Sequence, residues 1–265
     1  MTRHAPGGDA AGVRAWYNLV ADAFARRYDG ESGWYLRCCE EDLLHAVVDF
    51  RGRVVLDLGT GAGRLLPRLA PIARAVVAVD LSEALLARAP RLPGTALLQM
   101  NALDLGLRAG AVDVVVSLGL CEYVEDLAPF LAEAVRVLRP GGRLAFTYHQ
   151  LAARRQLVEE PPDMPYFGRT VGERSRFWTK RRHRRAAVLA AMREAGLVRP
   201  RPYRVFFRAS ATLEGWSRRF GDGSAGRRLL RLGALAAERT LGRGLRPLTV
   251  ATTGNVLMIA EKPAS

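Results

Sequence analysis

The stretch Val54-Val55-Leu56-Asp57-Leu58-Gly59-Thr60-Gly61-Ala62-Gly63-Arg64 constrains this chain more than any other. A short apolar run carrying one acid breaks into three glycines at alternate positions. An apolar run of that length, bounded by glycines, reads as a buried strand. Each glycine removes a Cβ, so the turn can take positive φ and let a ligand lie against bare backbone. Leu65-Leu66 is then expected to open a helix whose free N–H groups point back at the same place. Strand, bare turn and helix N-terminus together describe a nucleotide-binding turn.

The rest of the chain repeats that alternation. Strands are expected over Arg53–Leu58, Ala75–Asp80, Thr95–Met100, Val112–Leu118 and Arg143–His149. Helices fall between them: one running to about Ala70, one opened by the N-cap Ser82 and ended by Pro90, and one over Asp126–Leu138. Such alternation implies an α/β fold with a doubly wound, mostly parallel sheet. Two helices, Val13–Tyr28 and Trp34–Asp49, precede it, and Met1–Gly12 reads as a disordered tail. Beyond His149 the pattern loosens. A loop over Ala152–Arg176, a basic helix over Thr179–Ala195 capped by Gly196 and a strand over Pro202–Arg208 are expected. Amphipathic helices over Ala211–Leu241 and a last strand over Asn255–Lys262 follow. At 265 residues this organises as a tail (1–12) and a single domain (13–265). Within the domain, 13–50 is a helical lid, 51–150 the core and 151–265 a variable part.

Charge and cysteines limit the partners. Forty basic against 26 acidic residues give a formal charge of +14, yet only Lys180 and Lys262 are lysines. The arginine bias reads as GC-rich coding, although a field of that size attracts anions. The Arg174–Arg185 run reads as a solvated helix face, with Val188, Leu189 and Met192 turned inward. Cys38, Cys39 and Cys121 are odd in number and lack ligand spacing, which points to a reducing cytoplasm and no metal site. No apolar run reaches the length of a membrane span, so stable membrane insertion is not expected. A cytoplasmic monomer or homodimer is the expectation.

The glycine spacing separates two kinds of nucleotide. A dinucleotide fingerprint places its third glycine at the sixth position, where this chain has Arg64. Asp57, two residues before Gly59, would also oppose a pyrophosphate. A cationic, phosphate-free ligand suits the turn better, and S-adenosylmethionine (SAM) has sulfonium and ammonium groups with a carboxylate for the N–H groups of the turn. Asp80 ends the second strand about 20 residues on, where a carboxylate accepts bonds from both ribose hydroxyls.

With those residues in view, the chain resembles class I SAM-dependent methyltransferases. The resemblance rests on Val54–Arg64, Val77–Ser82, Met100–Asp104, Val112–Val124 and Val137–Phe146. The small-molecule branch that includes ubiquinone and menaquinone methyltransferases is the closest in pattern. The resemblance implies a Rossmann-like, seven-stranded sheet with an antiparallel last strand, and a C-terminal helical insertion before it. It implies SAM as cofactor and S-adenosylhomocysteine as product. By motif position, Asp57, Gly59, Thr60, Gly61 and Gly63 would hold the methionine part, and Asp80 the ribose. Leu81 and Ser82 would lie beside the adenine, with Asn101 facing its amino group and the Ala102 N–H reaching the ring. Ser117 and Leu118 would border the methyl group, and Tyr17 and Tyr28 match aromatic positions of the lid.

Methyl transfer asks a protein to align nucleophile, methyl and sulfur and to exclude water. A hydroxyl acceptor adds a need for a general base. Glu122, Tyr123 and His149 follow strand ends, where open α/β sheets place ligands, and are the catalytic candidates. The expected activity is transfer of a methyl group to O or N of a small organic molecule, such as a specialised metabolite. A lipid or quinone acceptor, or a non-catalytic SAM-fold binding protein, are the alternatives. No nucleic-acid partner is expected, since neither an Asn/Asp-Pro-Pro-Tyr/Phe motif nor a Pro-Cys dipeptide occurs.

Overall fold

The computed structural model describes residues 10–26, 31–124, 126–150, 182–205, 224–237, 240 and 254–264. Three helices open it: α1 (Ala10–Leu19), α2 (Ala21–Ala25) and α3 (Glu31–Val47). Then come β1 (Val54–Leu58), α4 (Leu66–Leu69), β2 (Ala75–Asp80), α5 (Glu83–Leu86), β3 (Thr95–Gln99), β4 (Val112–Ser117), α6 (Leu127–Val137) and β5 (Leu138–Gln150). Beyond these lie α7 (Arg185–Glu194), β6 (Val198–Arg204), α8 (Ala225–Ala237) and β7 (Gly254–Glu261).

The strands form one sheet in the order β3-β2-β1-β4-β5-β7-β6. β1 to β5 run parallel, while β7 lies antiparallel between β5 and β6. The α/β expectation and the antiparallel last strand both hold. The order reverses direction at β1, so β1 and β4 diverge to opposite sides and leave a crevice at their carboxyl ends.

Alternation along each strand splits the apolar residues between two faces. Leu56, Val115, Leu144, Phe146 and Val256 pack with Phe130, Leu131 and Val188 on one face. Val55, Val114, Val116, Ala145 and Leu257 pack with Leu43, Leu44 and Leu235 on the other. The core therefore sits as two layers around the sheet, with α6 and α7 on one side and α3 and α8 on the other.

Several boundaries move. The first helix begins at Ala10, inside the expected tail, and the Val13–Tyr28 helix divides at Val20, whose ψ of 11° departs from helical geometry. The helix expected to reach Ala70 is the single turn Leu66–Leu69, with Pro67 at its start. A helix that short offers no N-terminal anion site, which removes that part of the sequence reading. β5 is longer than expected, because Leu138 pairs with Val112 and Arg143 resumes at Val114 across a bulge. Gly141 turns there at φ +74°, and a Cβ on Gly142 would lie 2.9 Å from Arg139 O. The Ala152–Arg176 loop, Tyr28, residues 206–208 of the expected strand, and residues 211–223, 238, 239 and 241 lie outside the described residues.

Candidate functional site

The glycine turn folds back on β2. The N–H groups of Gly59 and Thr60 both donate to Val79 O, at 2.8 and 2.9 Å, and Gly61 N–H donates to Asp80 Oδ2 at 2.8 Å. Gly63 N–H closes on Thr60 O at 3.0 Å. These four groups are spent inside the protein, so for them the expectation of facing a ligand carboxylate is corrected. All three glycines have positive φ, and each meets a different neighbour. A Cβ on Gly59 would touch Leu120, one on Gly61 would stand 3.2 Å from the Phe24 ring, and one on Gly63 would fall 2.8–2.9 Å from Ala89, Leu66 and Pro90. Gly63 thus provides the close approach that the dinucleotide fingerprint assigns to its sixth position.

A cavity of about 580 Å³ opens over this turn. Its walls include Gly59, Thr60, Gly61, Gly63, Asp80, Leu81, Ser82, Asn101, Ala102, Leu118, Tyr123 and Tyr17, twelve of the residues singled out from sequence. Asp80 receives Gly61 N–H on one oxygen and Ser82 N–H on the other, at 2.8 and 2.9 Å. Burial raises its pKa, while these backbone donors pull it down. The carboxylate is held rigidly and keeps acceptor capacity for two further donors.

Asp57 has a different place from the one expected. It is 2% exposed and lies beneath the turn rather than in the cavity wall, where it accepts the Thr60 hydroxyl at 2.7 Å. Strand alternation turns it toward the α3 layer, and burial pushes its pKa up to about 6 against the opposing pull of Thr60 and Arg64. Asp57 therefore braces the turn. Ser117 is likewise behind the wall, fully buried and donating to Leu58 O at 2.8 Å.

The lid contributes more than its tyrosines. Tyr17 stacks edge-on against Phe24 at 5.0 Å and against Tyr123 at 5.6 Å, which makes an aromatic corner where α1, α2 and the Cys121–Tyr123 turn meet. Asn18 fastens α1 to α5: it accepts the Ser82 hydroxyl at 2.6 Å and Ala84 N–H at 3.3 Å, and donates to Glu83 Oε1 at 2.7 Å. Sequence reasoning missed Phe24, although it stands seven residues from Tyr17 and so on the same helical face. It missed Asn18, whose partners lie more than sixty residues away. Arg14 and Arg37 also line the cavity and were passed over among so many arginines.

Arg64, at the position that broke the fingerprint, lines the cavity and pairs with Glu40 of α3 at 2.7 Å. The second oxygen of Glu40 accepts Asn255 Nδ2 of β7.

The catalytic candidates separate. Tyr123 lines the cavity, whereas Glu122 and His149 do not. They form their own pair just behind Tyr123, with His149 Nε2 at 2.8 Å from Glu122 Oε1. Glu122 is 5% exposed and the His149 ring 28%. His183 secures this corner from outside, through its N–H to His149 O and its ring to Cys121 O, both at 2.9 Å. Cys121 is fully buried, and burial pushes its thiol well above the ordinary range, as befits a core residue. Among the described residues no helix is long and apolar enough to cross a membrane.

Comparison with known proteins agrees with this geometry. Residues 56–146 match the "Methyltransferase domain" family. Chondramide synthase of Chondromyces crocatus is 38% identical over 122 residues, 42% of this chain and 3% of that protein. A "Probable S-adenosylmethionine-dependent methyltransferase" of Mycolicibacterium smegmatis is 40% identical over 92 residues, covering 34% of this chain and 36% of that one. The chain thus spans less than half the length of these relatives. Among solved structures, the 4+2 cyclase SpnF superposes with a TM-score of 0.63 at 18% identity, over 98% of this chain and 99% of that one, a likeness of fold.

Proposed function

We propose that this chain, whose residues 56–146 match the methyltransferase-domain family, is a class I SAM-dependent methyltransferase that transfers the methyl group of SAM to an oxygen or nitrogen of a small organic acceptor. The observation that carries the reading is Asp80, pinned by Gly61 and Ser82 N–H in the wall of one cavity with the glycine turn and the lid aromatics. The residues present fit SAM. Asp80 keeps two acceptor positions for a ribose diol, and Leu81, Met100, Ala102 and Leu103 offer an apolar slot for a base. Tyr17, Phe24 and Tyr123 present ring surfaces suited to a cationic sulfur. With the N–H groups of Gly59, Thr60, Gly61 and Gly63 already engaged, Arg37 and Arg14 are the side chains to receive the methionine carboxylate.

SAM supplies a methyl carbon activated by its sulfonium. The protein then has to orient the acceptor in line, exclude water and take up a proton. Glu122 holds His149 through Nε2 behind Tyr123, so His149 would take up the acceptor's proton by way of Tyr123, the one of the three that lines the cavity. Tyr123 would border the acceptor from the cavity side. The helices at 10–47 serve as lid, with Ala10, Tyr17, Phe24 and Arg37 in the cavity wall. The match to a synthase supports a specialised metabolite as acceptor.

Two measurements test this. Calorimetry should register S-adenosylhomocysteine binding in the micromolar range and no heat with NADH; the reverse pattern would end the reading. Incubation with cell extract and methyl-labelled SAM should yield a compound heavier by one labelled methyl, and His149→Ala should cut its formation at least tenfold while leaving S-adenosylhomocysteine affinity within about twofold. An unaltered rate would take His149 out of the chemistry.

A further inference from the structure

Asn101 is the one polar side chain in the apolar stretch Met100–Leu103 of the cavity wall, and a backbone group settles which way its amide faces. Leu103 N–H donates to Asn101 Oδ1 at 3.0 Å, while Asp104 N–H closes the same loop on Asn101 O at 3.1 Å. A backbone N–H only donates, so the atom facing it is the carbonyl oxygen and the amide is not turned over. The side-chain oxygen is committed to its own loop. Among the described residues nothing accepts from Nδ2, which is the part of Asn101 left for a ligand.

This reverses the hydrogen-bond character that the sequence suggested, in which Asn101 would serve as an acceptor for an adenine amino group. We infer that Asn101 reads the six-position edge of the purine as a donor, so that the pocket takes hypoxanthine as readily as adenine. The inference rests on the SAM reading above. Adenine offers a donor at its exocyclic N6 and an acceptor at N1; hypoxanthine offers an acceptor at O6 and a donor at N1–H. A carboxylate here would accept from N6 and repel O6. A carboxamide N–H finds a partner on either base, N1 on adenine or O6 on hypoxanthine.

Calorimetry of the full chain with S-adenosylhomocysteine and S-inosylhomocysteine tests the inference. The wild-type chain should bind the two within about threefold of each other. Asn101→Asp keeps an acceptor for Leu103 N–H, so the loop persists. That variant should retain S-adenosylhomocysteine and weaken for the inosyl compound by about tenfold or more. Wild-type discrimination against the inosyl compound above about thirtyfold overturns the inference, and does so without any variant. A selectivity ratio unchanged in Asn101→Asp overturns it too. Failure of the wild-type chain to bind S-adenosylhomocysteine at all would instead bring down the donor-site reading, and this inference with it.

Discussion

Gly61 and Asp80 are nineteen residues apart in sequence and joined by a 2.8 Å hydrogen bond from the glycine N–H to the carboxylate. The bond makes the turn after β1 and the end of β2 one rigid piece, so the residue that would hold the ribose also holds the turn. Asp80→Ala should therefore cost more than a lost ligand contact. Two charge-assisted bonds vanish together, and S-adenosylhomocysteine affinity should fall by at least tenfold in calorimetry, with a lowered melting temperature. Affinity within twofold of wild type would free Asp80 from the site.

The glycines of the turn should differ in what they tolerate. Gly63→Ala puts a Cβ 2.8–2.9 Å from three carbon neighbours at φ +74°, and no flexible chain end is there to yield alone. A loss of roughly 2–4 kcal/mol is expected, readable by denaturant unfolding. At Gly61 the nearest atom is Cε1 of Phe24, on a lid helix, at 3.2 Å. Gly61→Ala should disturb ligand binding more than its stability loss would suggest, because the lid aromatic is what must move.

Helix α1 has no buried residue, and Leu19 is 76% exposed. The Tyr17 ring and the three bonds of Asn18 to Ser82, Glu83 and Ala84 fasten the helix. Asn18→Ala should speed amide exchange across residues 10–19, while the melting temperature moves by about 2 °C or less. If exchange in α1 stays at the wild-type rate, Asn18 is not the fastening.

Acid should act on Asp57 and His45 in opposite senses. The Asp57 carboxyl stands at about 6 when folded, above its unfolded value near 3.9, so between about pH 4 and 6 the folded chain binds more protons than the unfolded. Stability contributed through Asp57 falls as pH rises across that window. Burial lowers His45 to about 4 from 6.5, so its contribution rises with pH over nearly the same range. Asp57→Asn should remove the falling share and leave unfolding free energy climbing more steeply from pH 4 to 6, measured by chemical denaturation at fixed steps. An identical profile would show that Asp57 titrates alike in both states.

What could be read from the chain and what could not divides along range of interaction. Ser82 as N-cap, Asp126 at the head of α6 and the strand ending at Asp80 are set by chemistry within a few residues, and they stand as expected. Asp57 was misread although its position between Leu56 and Leu58 already placed it on a core-facing alternation. The motif suggested a ligand, and the alternation pointed under the turn. Phe24 against Gly61 and Asn18 against Ser82 were out of reach, because no local signal says which helix folds over which turn. The Glu122–His149 pair was available only as two separate candidates at neighbouring strand ends.

One carboxylate also bears on how this protein can be divided. Glu40 accepts from Arg64 with one oxygen and from Asn255 with the other, joining residues 215 positions apart. Neither Glu40 nor Asn255 lies within 56–146, the span that matches the methyltransferase-domain family. The donor turn is thus braced by both flanks of the chain. A fragment trimmed to the matched span would carry every glycine of the turn and still lose the Glu40 carboxylate that pairs with Arg64. Modular grafting of the SAM half onto another acceptor domain should carry α3 and β7 along with it.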